Sequence, residues 1–323
     1  MDDLHEKPFF LVGHPRSGTT LLRFVLSSHP RLFVPSETGF LPFLGYDGDA
    51  ALTPAQARRL LERIGRLNRE WAGLVDDGEA FYGRLPAPTL AHLLDALYRL
   101  KLQAAGSDAA RWGDKTPAYA LHLPRLARIF ATAQFVHVVR DGRDVALSAG
   151  KKWGRGRWYM DPYYLLRNWA RHVEQARAAG QALAPGRYLE VRYEDLVGEP
   201  EPAIRALCRF LGEEFHPAML DHTQLARQRI APGGHVEVWQ PISTASVGRW
   251  RSEMSPFWQR AADRVAGPTL AASGYAPSDQ GAPTAAQRAR LLALAAKYAL
   301  VEAGRRGLAR LGLLTLNRGK RRR

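Results

Sequence analysis

A single cysteine, Cys208, in 323 residues excludes a disulfide framework and a thiolate metal cluster, and points to a reducing compartment. The ten histidines are scattered and form no ligand cluster with it. The longest apolar stretches fall short of a bilayer span, which argues against a transmembrane helix. No secretory leader is expected, because Met1-Asp2-Asp3 is acidic and the apolar run near Phe9 is short. A cytoplasmic protein is the expectation, and the Ala- and Arg-rich composition suits a bacterial one. No internal repeat stands out. With 46% hydrophobic residues the chain can build one large α/β core, and its length allows up to two domains.

What the sequence does contain is an apolar run that ends in a phosphate-sized loop. Phe9 to Val12 read as a buried parallel strand, Gly13, Pro15 and Gly18 bend the chain, and Leu21 to Leu26 begin a helical pattern. At such a helix start the N–H groups point outward, the dipole favours negative charge, and Gly18 lets the backbone approach an anion. Ser17, Thr19 and Thr20 add hydroxyl donors, and Arg16 adds a planar fork suited to phosphate or sulfate oxygens. An NTP-binding loop would read G-x-x-x-x-G-K-[ST], but here Thr19 follows Gly18 where the lysine belongs. That absence argues against a kinase or NTPase. The alternative is a tight strand-to-helix turn with polar caps.

Two more runs have the pattern of buried strands. Phe135 to Val139 leads into Arg140-Asp141-Gly142-Arg143-Asp144 and a helix that carries Ser148, and Tyr188 to Arg192 leads into Tyr193-Glu194-Asp195-Leu196. Separated by long helical stretches, the three runs predict a doubly wound parallel sheet. The segment from about 41 to 111 reads as a helical insertion, with helices over 55–71 and 89–104, placed where an acceptor pocket would be built.

These residues carry a resemblance. Pro15-Arg16-Ser17-Gly18-Thr19-Thr20 resembles the 5′-phosphosulfate loop of sulfotransferases that use 3′-phosphoadenosine 5′-phosphosulfate (PAPS) as donor and release 3′-phosphoadenosine 5′-phosphate (PAP). The run from Phe135 to Ser148 is similar to the 3′-phosphate signature of that family, with Arg140 at the strand end and Ser148 on the helix. The resemblance implies an α/β P-loop-like three-layer fold with a central parallel sheet and helical insertions. It places a sulfotransferase domain over 1–280, followed by a helical segment with a basic tail over 281–323. It implies donor binding by Arg16, Ser17, Gly18, Thr19, Thr20, Arg140 and Ser148, with Tyr193 near the adenine. Arg249, in Ser246-Val247-Gly248-Arg249-Trp250, would close over the 3′-phosphate. A serine that the family adds upstream in this late loop falls at Gly233-Gly234, which leaves Ser243 or Ser246 to substitute. On the residues alone, Arg140 could instead pair with Asp141 or Asp144, and Tyr193 could simply pack a strand end.

His29-Pro30 and Ser36-Glu37-Thr38 match the tyrosylprotein sulfotransferase branch in type and in spacing from Arg16, which implies Glu37 as general base. A hydroxyl acceptor must lose its proton as the S–O bond forms, and a nearby carboxylate can take it. Lys115, in Trp112-Gly113-Asp114-Lys115-Thr116-Pro117, matches the family lysine at the bridging or leaving oxygen, where a cation neutralises developing charge. The plainer readings make Glu37 a helix N-terminal charge and Lys115 half of a surface pair with Asp114. His122 is the rival base. Small-molecule sulfotransferases place a histidine two residues after that lysine, and here the position is Pro117, so His122 is read as an ordinary helix-face residue.

The implied reaction is in-line sulfuryl transfer to a hydroxyl of a protein tyrosine, glycan, lipid or small molecule, with no metal because side chains handle the charge. Two other classes compete: a kinase-like phosphotransferase, and a basic nucleic-acid-binding protein, for which no recognisable module is present.

The net charge of +15 is concentrated late in the sequence. Past Glu302 come Arg305, Arg306, Arg310, Arg318, Lys320, Arg321, Arg322 and Arg323 with no acid, interleaved with leucines. The segment reads either as a membrane-peripheral or acidic-acceptor contact, or as a helix packed on the core with a frayed basic tip. Deleting Arg318 to Arg323 is expected to weaken association with anionic vesicles or acceptor at low salt, as read by co-sedimentation.

Overall fold

In the computed structural model, which describes residues 7–154, 161–230 and 236–310, the first apolar run becomes β1 (Phe9–Gly13), buried along its whole length. β2 (Leu32–Phe33), β3 (Arg111–Lys115), β4 (Gln134–Val139) and β5 (Tyr188–Arg192) complete a parallel sheet in the order β2-β3-β1-β4-β5. Between the strands run α1 (Thr19–Ser27), α2 (Pro54–Leu67), α3 (Gly78–Tyr82), α4 (Leu90–Ala104), α5 (Leu123–Ile129), α6 (Gly142–Trp153) and α7 (Pro162–Gln181). After β5 come α8 (Tyr193–Gly198), α9 (Pro200–Leu211), α10 (Thr223–Arg229), α11 (Trp250–Glu253), α12 (Pro256–Ala272) and α13 (Ala285–Arg310). The chain forms two compact units, one of residues 1–140 and 171–247 and the other of residues 141–170 and 248–323.

The first unit is a three-layer α/β fold, as the sequence pattern predicts. Side chains alternate across β1, so Phe10 and Val12 enter one core while Phe9 and Leu11 enter the other. On one face Phe10 stacks on Phe135 with ring centroids 5.4 Å apart and meets Trp112 edge-on at 6.1 Å, under helices of the 41–111 insertion. On the other face Leu22, Val25 and Leu26 of α1 pack with Leu207 and Leu211 of α9. Cys208 lies in this second core, where burial pushes its thiol up to about 11, so it acts as a small apolar side chain. Within the insertion, Thr53 and Gln56 cap α2 reciprocally and Pro54 occupies its first turn.

Two strands were not legible as strands. β2 is only two residues long, and β3 carries Arg111, Asp114 and Lys115 in five fully buried positions. Its polar groups survive burial because each has partners. The Arg111 guanidinium, for instance, donates to Leu211 O at 2.5 Å and to Gln134 Oε1 at 2.6 Å.

The second unit is helical. Its buried Arg143 grips Asp141 through two nitrogens at 2.8–2.9 Å and lies 3.6 Å over the Trp250 ring. Asp144 accepts from the amides of Gly248 at 2.7 Å and Trp250 at 2.9 Å. Tyr298 of α13 meets Tyr163 and Tyr164 with ring centroids 6.0 Å and 5.3 Å away.

Truncating the central aromatic of the sheet, Phe10→Ala, is expected to cost about 3–5 kcal/mol, because a buried ring is lost and the cavity cannot collapse against strands on both sides. Equilibrium urea unfolding measures it.

Candidate active site

β1 lies at the middle of the sheet, with β3 on one side and β4 on the other, so the chain crosses over at its carboxyl end. Open parallel sheets bind ligands at that position. Gly13 closes the strand at φ +153°, and a Cβ there would lie 2.5 Å from Val138 O, so only glycine fits. The Ser17 amide then donates to His14 O at 3.1 Å, which folds the loop back on itself. Arg16 is held at φ +77°, the one described non-glycine residue with positive φ, a strained conformation costing about 1–3 kcal/mol.

Gly18 precedes α1 at φ +99°, and the Tyr193 ring takes the space of its missing side chain: a Cβ would come within 2.3 Å of Tyr193 Cδ2. The other side of this arrangement is Arg140, whose guanidinium carbon lies 4.6 Å from the centre of the same ring. Arg140 also donates to Arg16 O at 3.2 Å and to Ser246 O at 2.5 Å. Strand-end arginine, loop and tyrosine therefore form one assembly.

The loop has the properties of an anion cradle. Helix α1 begins at Thr19, so its first-turn amides have no intrahelical acceptor and point toward the loop. Ser17 is fully buried, yet its hydroxyl has no hydrogen-bond partner among the described residues. Burial lowers the pKa of Arg16, opposed by Glu237, whose carboxylate lies 3.4 Å away and whose side chain is 60% exposed. His14 stays neutral, since burial pushes it down to about 4.

Beside the loop, the Lys115 ammonium donates to Glu37 Oε1 at 2.7 Å and to Thr20 Oγ1 at 3.4 Å. The pair is asymmetric: the lysine side chain is 3% exposed and the glutamate 53%. Burial lowers the pKa of Lys115, while the Glu37 carboxylate opposes that shift. Glu37 is not a helix N-terminal charge, because it lies in irregular chain, with Phe40 and not Glu37 capping the 3-10 turn at Leu41–Phe43.

Asp114 does not form the surface pair that its neighbour Lys115 suggested. It is fully buried and accepts from Thr38 Oγ1 at 2.6 Å, from Thr116 Oγ1 at 2.7 Å and from the Tyr98 hydroxyl. Thr38 in turn bonds the Tyr119 hydroxyl at 2.7 Å and gives its amide to Thr116 Oγ1 at 3.1 Å. Asn68, from the insertion, donates to the carbonyls of Glu37 and Thr38 at 3.0 and 3.1 Å. These residues escape a motif search; the legible signal was the polar density of Arg111-Trp112-Gly113-Asp114-Lys115 next to a buried sheet.

The remaining residues have definite places. His29 bonds Glu214 O at 2.9 Å and accepts from the Arg31 amide, a turn-holding role. His122 ends a 3-10 turn, with its ring 6.1 Å from Phe43. In the second unit, Ser148 is half-buried on α6, and Arg249 pairs with Glu253 at 2.7 Å. Gly233-Gly234 and the basic tail past Arg310 lie outside the described residues. Among the described residues no cluster of His, Cys, Asp and Glu could hold a metal, and no helix is long and apolar enough to cross a membrane.

Comparison with known proteins adds the chain's relatives. A profile described as "Sulfotransferase family" matches residues 8–217. Protein-tyrosine sulfotransferase 1 of Danio rerio is 30% identical over 283 residues, covering 83% of this chain and 72% of that protein. Protein-tyrosine sulfotransferase 2 of Gallus gallus is 27% identical over 279 residues, covering 83% and 69%. Among solved structures, the sulfotransferase domain of the Synechococcus PCC 7002 olefin synthase superposes with a TM-score of 0.57 at 25% identity, covering 84% of this chain and 97% of that one.

The near-isosteric change Thr38→Val is expected to cost about 1–3 kcal/mol, because the buried Asp114 and Tyr119 oxygens each lose a partner. Urea titration gives the loss of stability.

Proposed function

The chain belongs to the sulfotransferase family, in its tyrosylprotein sulfotransferase-like branch, and from that premise we propose PAPS-dependent sulfuryl transfer to an acceptor hydroxyl. The observation that carries the proposal is the Lys115–Glu37 pair at 2.7 Å beside Thr20, which brings a cation and a solvent-reachable carboxylate to the edge of the anion loop.

Bound PAPS would supply an activated sulfuryl group on a good leaving phosphate. The chain's residues divide the rest. Arg16, the Ser17 hydroxyl, the Gly18 and Thr19 amides and Thr20 would hold the phosphosulfate, and their charge and dipoles favour its oxygens. Arg16 pairs with the exposed Glu237 at 3.4 Å, a contact that a bidentate anion could replace. Lys115, buried and with its charged form favoured by the Glu37 carboxylate, would offset negative charge that gathers on the departing phosphate oxygen. Glu37 would accept the acceptor's hydroxyl proton as the S–O bond forms, and its exposed side gives the acceptor access.

Arg140 is assigned to the 3′-phosphate, supported by its fixed position over Tyr193, with Ser148 and Arg249 assigned the role that the family resemblance implies. Tyr193 keeps its assignment near the adenine. Among hydroxyl acceptors a protein tyrosine is favoured, because the curated relatives carry that substrate in their names. Family membership weighs against the phosphotransferase reading.

PAP is expected to bind without metal, and AMP far more weakly. Arg140→Ala should reduce PAP affinity by about 10- to 100-fold, the loss of a charged hydrogen-bonding group. Calorimetry decides: equal binding of PAP and AMP, or an unaffected Arg140→Ala, contradicts the donor assignment. Glu37→Gln should keep PAP affinity while lowering turnover by about 10²–10⁴-fold.

A further inference from the structure

The Glu37 carboxylate has one hydrogen-bond partner among the described residues, the Lys115 ammonium, and more than half of its side chain is open to solvent. Where that carboxylate lies therefore depends on the chain that carries it. Upstream, α1 holds both main-chain groups of Val34: Ser27 Oγ accepts from its amide at 3.3 Å, and Arg23 Nε donates to its carbonyl at 3.1 Å. Downstream, Thr38 is fixed by Asp114, Thr116 and Tyr119. Between these anchors lie Pro35, Ser36 and Glu37. Among the described residues, the partners of the Ser36 hydroxyl and of the Glu37 carbonyl both come from the insertion.

Those partners belong to one short turn. Asn68 ends α2 and caps the 3-10 turn Arg69–Trp71, its Oδ1 accepting from the Glu70 amide at 3.1 Å. Its Nδ2 donates to the carbonyls of Glu37 and Thr38, and the Glu70 carboxylate accepts from Ser36 Oγ. The turn is itself anchored. Trp71 is buried and meets the Phe40 and Tyr98 rings at 5.3 and 4.8 Å. Its ring centre lies 5.7 Å from the Lys101 ammonium, which donates to the Glu70 carbonyl at 2.5 Å. A buried tryptophan thus plants the turn in the core, while its two polar neighbours reach the residue before Glu37 and the carbonyls at and after it. Glu70 is exposed and Asn68 half-buried, so these hydrogen bonds add only modestly to stability. What they fix is the direction of the chain that bears the carboxylate.

We propose that Asn68 and Glu70 are positioning residues that aim the Glu37 carboxylate at the acceptor hydroxyl, so that the insertion bears on the rate of transfer. The proposal rests on Glu37 acting as the base. In this role both residues act through the backbone of 36–38, where a displacement of about 1 Å can cost about 10²-fold in rate.

The test is single-turnover transfer from PAPS to a tyrosine-containing peptide, with the PAP affinity of each variant measured by calorimetry. Asn68→Ser keeps an oxygen that can cap the turn and is too short to reach the two carbonyls. It should lower the rate at saturating acceptor by about 10- to 100-fold and leave PAP affinity unchanged. Glu70→Ala should act in the same direction, whereas Glu70→Gln, whose amide oxygen still accepts from Ser36, should retain the wild-type rate. The decisive arm repeats Asn68→Ser in the Glu37→Gln background, where no base remains to be aimed and the further loss should be less than about threefold. Equal losses in the two backgrounds, a wild-type rate in Asn68→Ser, or a parallel loss of PAP affinity would overturn the proposal. No transfer by the wild type, or an unimpaired Glu37→Gln, would instead overturn the reading of Glu37 on which it rests.

Discussion

The buried carboxylate of Asp114 is the constraint on which the candidate site depends. A carboxylate removed from water must be satisfied by donors, and burial, opposed by those donors, raises its pKa. Its three hydroxyl donors come from three places: Thr38 in the loop after β2, Thr116 just past β3, and Tyr98 on α4. Glu37 precedes Thr38, and Lys115 stands between Asp114 and Thr116. Satisfying the carboxylate therefore also sets the backbone from which the Glu37 and Lys115 side chains extend. A network of this kind specifies one arrangement, because each member left without its partner is costly in a dry interior.

A second constraint comes from the loop itself. Gly13 must be glycine to clear Val138 O, and Gly18 must be glycine to admit the Tyr193 ring. Between them Arg16 is held in the left-handed region, with its carbonyl tied down by Arg140. Strain of this sort persists only where the surroundings over-determine it, and it tends to mark sites where geometry matters more than stability. The cradle is thus preorganised, so little ordering cost remains for an anion to meet.

Much of this was legible in the residues. Phe9 to Val12 and Phe135 to Val139 read as buried strands because fully covered parallel strands are continuous apolar runs, and α1 was announced by the glycines and hydroxyls ahead of Leu21. β3 was hidden because its burial is supported by hydrogen bonds rather than by apolar side chains. The plainer reading, a surface pair of Lys115 with Asp114, fails for a related reason. Adjacent charges in sequence suggest a local pair, but neighbours on a strand point to opposite faces, so Lys115 turns to Glu37 while Asp114 turns into the core. The insertion's helices were visible from periodicity, whereas Asn68 reaching back to the Glu37 carbonyl depends on a tertiary path that no local pattern encodes.

The central claim is that Glu37 and Lys115 act as one unit on the reacting group. A double-mutant cycle on single-turnover transfer from PAPS, using Glu37→Gln and Lys115→Met singly and together, tests it most directly. Because the two side chains share a 2.7 Å contact, the account predicts that the double variant loses far less than the product of the single losses, a coupling of about 1–3 kcal/mol. Losses that multiply to within about 0.5 kcal/mol would mean the residues act independently, and the reactive-pair account would be wrong.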